Sequence, residues 1–580
     1  MKRRTTALTS RVGAMAIVVI AIGLLPWLSG RDPALSVLRA RSAEQDPTPE
    51  AIGAVRAELG LDAGPLHLLG RWFGGALRGD LGRSWSSGAE VLPSVLSGAG
   101  ASLTLMAAAL IIAVAIAAAL CVPTLVRGAR GTLRTGGTGV GASTLAALPE
   151  FLLATLLMLA FSVWLRWLPP YGWEGPRDLI LPALALALPA GGILGRLVDD
   201  ALPAVFAERW VSLWRSAGCT PARIAAAAVR RAVPAVVPQL GLVAVGLTGG
   251  AVAVETVFAV PGIGRTALGA AESQDLPLLQ GAVLTLVLLG VVAGLVAQAA
   301  RRRLLGPGLR DEILSLPVPV ASSGRMHQVA PAGCAALLVI VIGWGLFLDP
   351  LQLDTTARLA APSWAHPLGT DSLGRDVLAR VGHGAAATAG VAVLVCAASY
   401  VVAIAAGFLP GFTIGASETA NAVPPVIAGI LVVAVLGPGT TGASIAVALV
   451  SWPPLAAHAA ALVQETRAAG YLTAQRAIGS SPGWILTRHV LPAVAGPVAR
   501  HAVLRLPGIA LALASLGFLG LGSQPPAPEW GSSLAEALPY VERAPWAALA
   551  PAVMLLLLAA LAVSLSTLRA KTPLLRGIRG

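Results

Sequence analysis

The chain is short of charge. Of its 580 residues only 12% are Asp, Glu, Lys or Arg, against 56% hydrophobic. A soluble domain carries roughly 25% charged residues, so about half the charge that keeps a water-facing surface wet is missing. Lysine is nearly absent: Lys2 and Lys571 are the only two among 41 basic residues. A phosphate-cradling loop of the Walker A kind needs Gly-rich spacing ending in Lys-Ser/Thr. Neither lysine has that setting, so this chain does not hydrolyse nucleotide by that route. Cys121, Cys219, Cys334 and Cys396 form no CxxC pair, which leaves a disulfide framework or zinc site unsupported; they read as small buried apolar residues. The seven histidines give no His-Glu-x-x-His pattern, and no paired Asp or Ser/His cluster falls within an apolar run. A membrane-embedded enzyme therefore lacks its reacting groups, and we assign no catalytic and no metal-binding residue.

What the sequence does have is apolar length. Mean hydropathy is +0.78. A bilayer-crossing helix needs about 20 predominantly apolar residues, and suitable runs recur at 12–28, 99–121, 140–164, 178–195, 232–258 and 279–299. After a polar stretch they recur at 329–348, 385–408, 418–436, 439–459, 497–521 and 544–568. The first run follows Lys2, Arg3, Arg4 and Arg11; with no clean A-x-A site behind it, it reads as a retained span and not a signal peptide. Six plus six spans predict an all-α integral membrane protein of about 12 helices. The run at 178–195 is the weakest of them.

The net charge of +13 has a nucleic-acid reading and a membrane reading. Here the arginines lie mostly at the ends of apolar runs and not in clusters with aromatic or polar neighbours, so the partner is the lipid bilayer and not nucleic acid. With the N-terminus placed in the cytoplasm, inside segments hold 25 Lys+Arg and outside segments 14. Half of the outside total comes from the long 29–98 loop, where the positive-inside rule has less force. Both termini are therefore expected in the cytoplasm. The basic, Pro-containing stretch after Arg301-Arg302-Arg303 reads as a cytoplasmic linker. This gives a first half 1–305, a linker 306–328 and a second half 329–580.

The halves repeat one another. Gly79-Asp80-Leu81-Gly82-Arg83-Ser84 pairs with Asp371-Ser372-Leu373-Gly374-Arg375-Asp376, both outside and before the second span of a half. Trp214-Arg215-Ser216-Ala217-Gly218 pairs with Gln475-Arg476-Ala477-Ile478-Gly479 in the inside loop between the fourth and fifth spans. Phe258 to Gly264 pairs with Leu516 to Gly522 after the fifth span. The offsets are 292, 261 and 258. Six spans separate the copies, so the halves share one orientation and are related about the membrane normal.

The two inside loops are the most informative segments. Each has a helical stretch, a glycine, a Thr or Ser followed by Pro, and then a second helix: Gly218-Cys219-Thr220-Pro221 and Gly479-Ser480-Ser481-Pro482. That is helix-turn-helix punctuation. A short helix held outside the bilayer this way can dock in a groove of a cytoplasmic partner, or can lie on the lipid surface as a basic amphipathic segment. Finding it twice at equivalent positions favours docking. Elsewhere, Glu255 lies in or near a span, where ionisable groups are functional candidates. Arg500, His501 and Arg505 read as interfacial snorkelling residues. The opposed charges Asp80/Arg83 and Asp371/Arg375 either fix their own turns or present charge to a docking partner. Trp164, Trp167, Tyr171 and Trp173 read as an interfacial aromatic belt, and helical spacing around 51–59 and 66–77 suggests an external cap.

The paired loops resemble the ATPase-coupling loops of binding-protein-dependent ABC importers. More narrowly, both halves resemble the dipeptide/oligopeptide/nickel permease family. The first half does so through Leu77-Arg78-Gly79-Asp80-Leu81-Gly82-Arg83-Ser84, Glu255-Thr256-Val257-Phe258, Pro261-Gly262-Ile263-Gly264 and Asp275. The second does so through His366-Pro367-Leu368-Gly369-Thr370-Asp371-Ser372-Leu373-Gly374-Arg375-Asp376, Arg488-His489-Val490-Leu491-Pro492 and the run from Ser515 to Gly531 that holds Glu529-Trp530-Gly531. The family usually uses two separate chains; here they are fused.

The resemblance implies a type I ABC importer transmembrane fold in a bacterial cytoplasmic membrane. It implies a non-enzymatic permease with no cofactor of its own, working with two cytoplasmic ABC ATPase subunits that use ATP and Mg, and with an extracytoplasmic solute-binding protein. Di- or oligopeptides are the expected cargo, with nickel or a metallophore as the alternative and an ATP-independent secondary transporter as the rival of a different class. It places ATPase coupling at Arg215, Gly218, Arg223, Arg231, Arg476, Gly479, Arg488 and Pro492. The translocation path is expected at Glu255, Phe258 and Phe518, and binding-protein docking at Asp80, Arg83, Asp371 and Arg375. Three positions depart from the family: the second coupling loop has Thr473 for a glutamate, Leu513 stands where a glutamate precedes the Ser515–Gly522 segment, and Ala232 replaces an asparagine.

Overall fold

Apolar runs cut off from water satisfy their backbone by closing into helices or barrels, and the chain is mostly helical over the residues that the computed structural model describes: 13, 16–28, 34, 35, 37, 38, 48–133, 140–305, 326–409, 417 and 423–567. Helix α1 runs over 16–23 and on through Leu25–Leu28. Two further helices follow, α2 (Pro49–Leu59) and α3 (Pro65–Leu77), where the spacing suggested a cap. The first half continues with α4 (Val91–Arg130), α5 (Val140–Ala146), α6 (Glu150–Leu157, carried on to Trp164 by a π-helical turn), α7 (Pro176–Phe206), α8 (Arg209–Ser216), α9 (Pro221–Val257), α10 (Ile263–Glu272) and α11 (Leu276–Leu305). The second half has α12 (Met326–Leu346), α13 (Val377–Phe408), α14 (Pro425–Leu436), α15 (Thr440–Ala468), α16 (Gly470–Ala477), α17 (Pro482–Phe518, with a π-helical turn at Leu486–Val490), α18 (Trp530–Ala537) and α19 (Pro545–Thr567).

The predicted spans fall on helices, except that 140–164 is split between α5 and α6 by a break at 147–149 and 418–422 lie outside the described residues. Among the described residues, six helices can cross a bilayer by length and composition: α4, α7, α13, α15, α17 and the Leu276–Val296 part of α11. The run at 178–195, weakest in the sequence, is a 31-residue helix. It looked short because hydropathy falls toward its C-terminal end, where Asp199 and Asp200 stand, while the backbone helix continues. Residues 306–325 of the expected linker lie outside the described residues.

The long helices meet through small residues. On α4, Leu105, Ala109, Ala113 and Ala117 form one buried stripe. Opposite them on α7, a Cβ at Gly191 would sit 2.9 Å from the Ala113 carbonyl oxygen, and one at Gly195 3.3 Å from the Ala117 Cα. Close backbone approach of this kind is how membrane helices gain packing where lipid is as apolar as leucine. In the second half α13 and α15 meet in the same way, with Gly407 against Ala459 and Ala460.

The structure corrects one pairing of the repeat. After the fifth span, Phe258 and Leu519 close their helices, and Ala259 (φ 55°) and Gly520 (φ 73°) are the left-handed residues that follow. Val260 N–H donates to the Glu255 carbonyl and Leu521 N–H to the Leu516 carbonyl, each at 2.9 Å. The offset is therefore 261, as in the inside loops, and not 258. The Gly520/Gly522 pair imitates Gly262/Gly264 in sequence, and this slipped the alignment by three residues. The residue in Glu255's place is thus Leu516.

Candidate functional site: the paired inside loops and the seam between the halves

The inside loops have the predicted form. Helix α8 ends before Gly218 (φ 75°), and α9 starts at Pro221. Helix α16 ends before Gly479 (φ 86°), and α17 starts at Pro482. These left-handed positions are where glycine is needed. Ser481 caps its helix by accepting from Trp484 N–H (3.3 Å), whereas Thr220 occupies the cap position without a side-chain bond. One buried residue anchors each short helix: Val211 in a cluster with Leu202, Phe206 and Ile224, and Leu472 in a cluster with Val463, Ile485 and Val490. Val211 and Leu472, like Ile224 and Ile485, stand at the offset of 261. Leu213 on α8 (67%) and Ile478, the residue that closes α16 (76%), are exposed.

The cations of these loops serve different ends. Arg215 donates to the carbonyls of Gly128 and Ala129, closing the C-terminal end of α4 and tying α8 to it. Arg231 pairs with Glu208 at 3.4 Å, and the same carboxylate accepts from the Trp210 indole at 2.9 Å. Arg223, Arg476 and Arg488 are exposed. Pro492 lies within α17 just past the π-helical turn. His489 packs its ring against Trp484 (4.9 Å) and Tyr471 (5.7 Å).

Between the halves, the apolar core is continuous at the end away from these loops. A single cluster joins Phe151, Val254, Phe258 and Ile263 of the first half to Ile427, Ile430, Leu516 and Phe518 of the second. The Phe151 and Phe518 rings stand 5.2 Å apart, α10 packs on α14, and Gly249 leaves no room for a Cβ beside Pro424. Among the described residues the core splits at the loop end: one cluster draws only on residues 121–232 and the other only on residues 400–498. Among them, the halves are joined at one end and separately packed at the other.

Glu255 lies in the joined region and is fully buried. Its carboxylate accepts from the Ser102 hydroxyl and from Arg265 N–H at 3.0 Å, while the Ser102 oxygen in turn accepts from Ile263 N–H at 2.9 Å. In this conformation Glu255 holds the start of α10 and faces no open path. Phe258 is buried beside it, its carbonyl accepting from Gly172 N–H at 3.3 Å.

The two outer turns differ. Asp371 accepts from Leu373 N–H and Arg375 N–H (both 2.9 Å) and from the Arg375 guanidinium at 2.6 Å; Arg375 also reaches Glu536 on α18 at 2.6 Å. Arg380 joins both carboxylates, at 3.6 and 3.2 Å. In the first half Asp80 closes its own turn through Gly82 N–H (2.8 Å), and Arg83 is exposed. The carboxylate that ties that turn down is Asp275, which accepts from the Ser84 and Ser86 hydroxyls and from Trp85 N–H at 3.0 Å. The motif search, which includes Asp275 among the residues that carry the family resemblance, assigned it no role because its partners lie about 190 residues away. It also assigned no role to Glu529, whose signal was local: an acidic residue immediately before a helix, accepting from Gly531 N–H (2.9 Å) and Ser532 N–H (2.8 Å).

Two segments, 128–311 and 400–571, each match the family described as binding-protein-dependent transport system inner membrane component. Together they cover more than half of the chain, and they contain both inside loops. The chain belongs to this family. It is similar to the di/tripeptide transport system permease protein DppC of Pseudomonas aeruginosa, 33% identical over 273 residues, which are 43% of this chain and 89% of that protein. It is also similar to the peptide transport system permease protein SapC of Escherichia coli, 34% identical over 252 residues (40% and 85%), and to the glutathione transport system permease protein GsiD of Pectobacterium atrosepticum, 32% identical over 246 residues (40% and 82%). Each relative matches less than half of this chain yet nearly the whole of itself, while the family matches twice; the chain is a double permease with the type I ABC permease fold. It is a multi-pass inner-membrane protein and the non-enzymatic transport component of its importer, with ATP hydrolysis in separate subunits. Among the described residues no group of three or more His, Cys, Asp or Glu is placed to hold a metal.

In this permease Glu529 lies in the connection between α17 and α18. Burial pushes its carboxyl up to about 7, against the backbone N–H groups that favour its ionised form. A carboxyl whose folded pKa is raised contributes stability at low pH and loses it as pH rises through the folded value. Melting of the purified protein should therefore include a component on the order of 3 kcal/mol that is lost between about pH 4.5 and 7. Glu529→Gln, which cannot ionise, should lack that slope; identical pH profiles for the two proteins would refute the assignment.

Proposed function

We propose that the chain is the complete membrane pathway of a short-peptide importer, with residues 1–305 and 329–580 as the two permease halves joined through 306–328. The names of its relatives, which span di/tripeptide, peptide and glutathione transport, support peptides over nickel. Two ATPase subunits, binding ATP and Mg, dock on the loops around Gly218 and Gly479. The excess of Lys+Arg in the segments on that side supports placing the loops and both termini in the cytoplasm. A solute-binding protein delivers cargo to the opposite face, near the turns of Asp80/Arg83 and Asp371/Arg375.

The observation that carries this reading is the pair of equivalent short helices, each anchored by one buried residue, with Leu213 and Ile478 exposed on or beside them. The path runs along the seam between the halves, past Glu255, Phe258 and Phe518. A core joined outside and divided inside supports a state closed to the exterior, and ATP-driven closure of the inside loops would rock the halves to open the outer seam (alternating access). Tagging the chain in its native host and purifying it tests this. Two ATPase chains and a binding protein carrying a peptide should come with it. Recovery of the chain alone, with uptake insensitive to ATP depletion, would replace the importer by a secondary transporter.

A further inference from the structure

Both halves fasten a short outer helix by the same three-part contact, with the carboxylate supplied from different places in the chain. Helices α4 and α13 start 286 residues apart, so Ser102 corresponds to Thr388 and Gly98 to Gly384. In the first half α10 begins against Gly98, where a Cβ would lie 3.2 Å from Ile263 N. The Glu255 carboxylate, rising from α9, bridges the Ser102 hydroxyl to the first N–H groups of α10. In the second half α18 begins against Gly384, which likewise has no room for a Cβ beside the Pro528 carbonyl. Here the place of Glu255 is taken by Leu516, fully buried and apolar. The carboxylate is that of Glu529, which meets the Thr388 hydroxyl at 3.5 Å and the first N–H groups of α18.

Each half also makes room for only its own arrangement. A Cβ at Gly262 would overlap the Glu255 carboxyl, and a Cβ at Gly517 would overlap that of Glu529. Gly517 corresponds to Thr256 in the first half, and Gly262, just before α10, corresponds to Glu529, just before α18. The carboxylate has moved from the position of Leu516 to that of Gly262, while the contact is kept. The joined end of the seam includes these parts: α10 packs on α14 of the other half, and Glu272 at its end comes within 3.8 Å of a Cβ built on Gly520.

We propose that Glu255 with Ser102, and Glu529 with Thr388, are the positioning residues of the outer gate. Each clips its outer helix to the second long span of its own half, so that helix and span move as one body when the seam opens. This rests on the alternating-access reading above.

The test uses the whole complex in lipid nanodiscs, with its ATPase subunits and the binding protein as co-purified with its native ligand. ATP hydrolysis is measured with and without that binding protein, and melting is recorded alongside. Glu529→Ala should keep basal hydrolysis within twofold and lose at least fivefold of the stimulation. Glu529→Gln, whose amide oxygen still accepts from Gly531 and Ser532, should keep more than half of it. Thr388→Val and Ser102→Ala, each removing one hydroxyl, should each lose two- to fivefold. A Glu529→Ala complex that assembles and is stimulated like wild type overturns the proposal. If that variant does not assemble, full stimulation of both hydroxyl variants overturns it instead. A wild-type complex that its binding protein does not stimulate refutes the importer reading itself, and the gate assignment with it.

Discussion

Replacing Arg375 by alanine should cost the protein about 3 kcal/mol and lower its melting temperature in detergent, while Arg83→Ala, the paired change in the other half, should leave melting within about 0.5 kcal/mol of wild type. Arg375 is 3% exposed and stands between two carboxylates, Asp371 and Glu536, each at 2.6 Å. Removing one partner of a buried ion pair leaves charge without compensation, and that penalty exceeds what the pair contributes over an apolar substitute. Here Arg380, at 3.6 and 3.2 Å, would remain as a cation beside Asp371 and Glu536, and Asp371 would keep its backbone donors, which holds the loss to the lower part of the usual range. Arg375→Lys should recover little, because an ammonium lacks the planar fork that serves two carboxylates at once. Arg83 is exposed, and its turn is held by Asp275 instead. Equal melting of the Arg375→Ala and Arg83→Ala proteins would show that the network does not carry the outer turn.

That contrast marks how far the sequence could be read. The helical apolar runs, the two-fold repeat and the helix-glycine-helix form of the inside loops were legible because each is written in local patterns. Apolar length, a left-handed glycine and a Pro at the helix start act within a few residues. The partners of the charged motifs were not legible. Asp80/Arg83 and Asp371/Arg375 look alike in sequence, yet one arginine faces water and the other closes a buried network with Glu536, 161 residues away. Glu255 drew attention as a charge inside a span, and its residue type was a sound signal; that Ser102 and the start of α10 occupy its carboxylate depends on a packing contact across 153 residues. Leu516 and Glu529 were opaque for a further reason. Repeats align by residue type, and a carboxylate that reaches the same place from another position in the chain defeats that alignment.

The second large effect is expected at the inside loops. Changing Leu213 and Ile478 together to aspartate should weaken attachment of the ATPase subunits by roughly a hundredfold or more and abolish ATP-driven uptake, with little effect on the melting of the permease alone. Both side chains are more than two-thirds exposed in the isolated chain, so they contribute little to its own core. In a docking groove each would bury an apolar side chain worth about 1.5–3 kcal/mol, and a charge in that groove adds a desolvation penalty. Arg215 makes a poorer probe of the interface, since its guanidinium is committed to the Gly128 and Ala129 carbonyls. Arg215→Glu should uncouple by detaching α8 from α4, and it should lower melting, which the aspartate pair should not. Arg476 is exposed, and the segment 414–415 that corresponds to Gly128 and Ala129 lies outside the described residues. Pull-down of tagged ATPase subunits by wild type, the aspartate pair and Arg215→Glu, read beside the melting of each, separates contact with the partner from support within the chain. Retention of the ATPase subunits by the aspartate pair would move the docking surface away from these two helices.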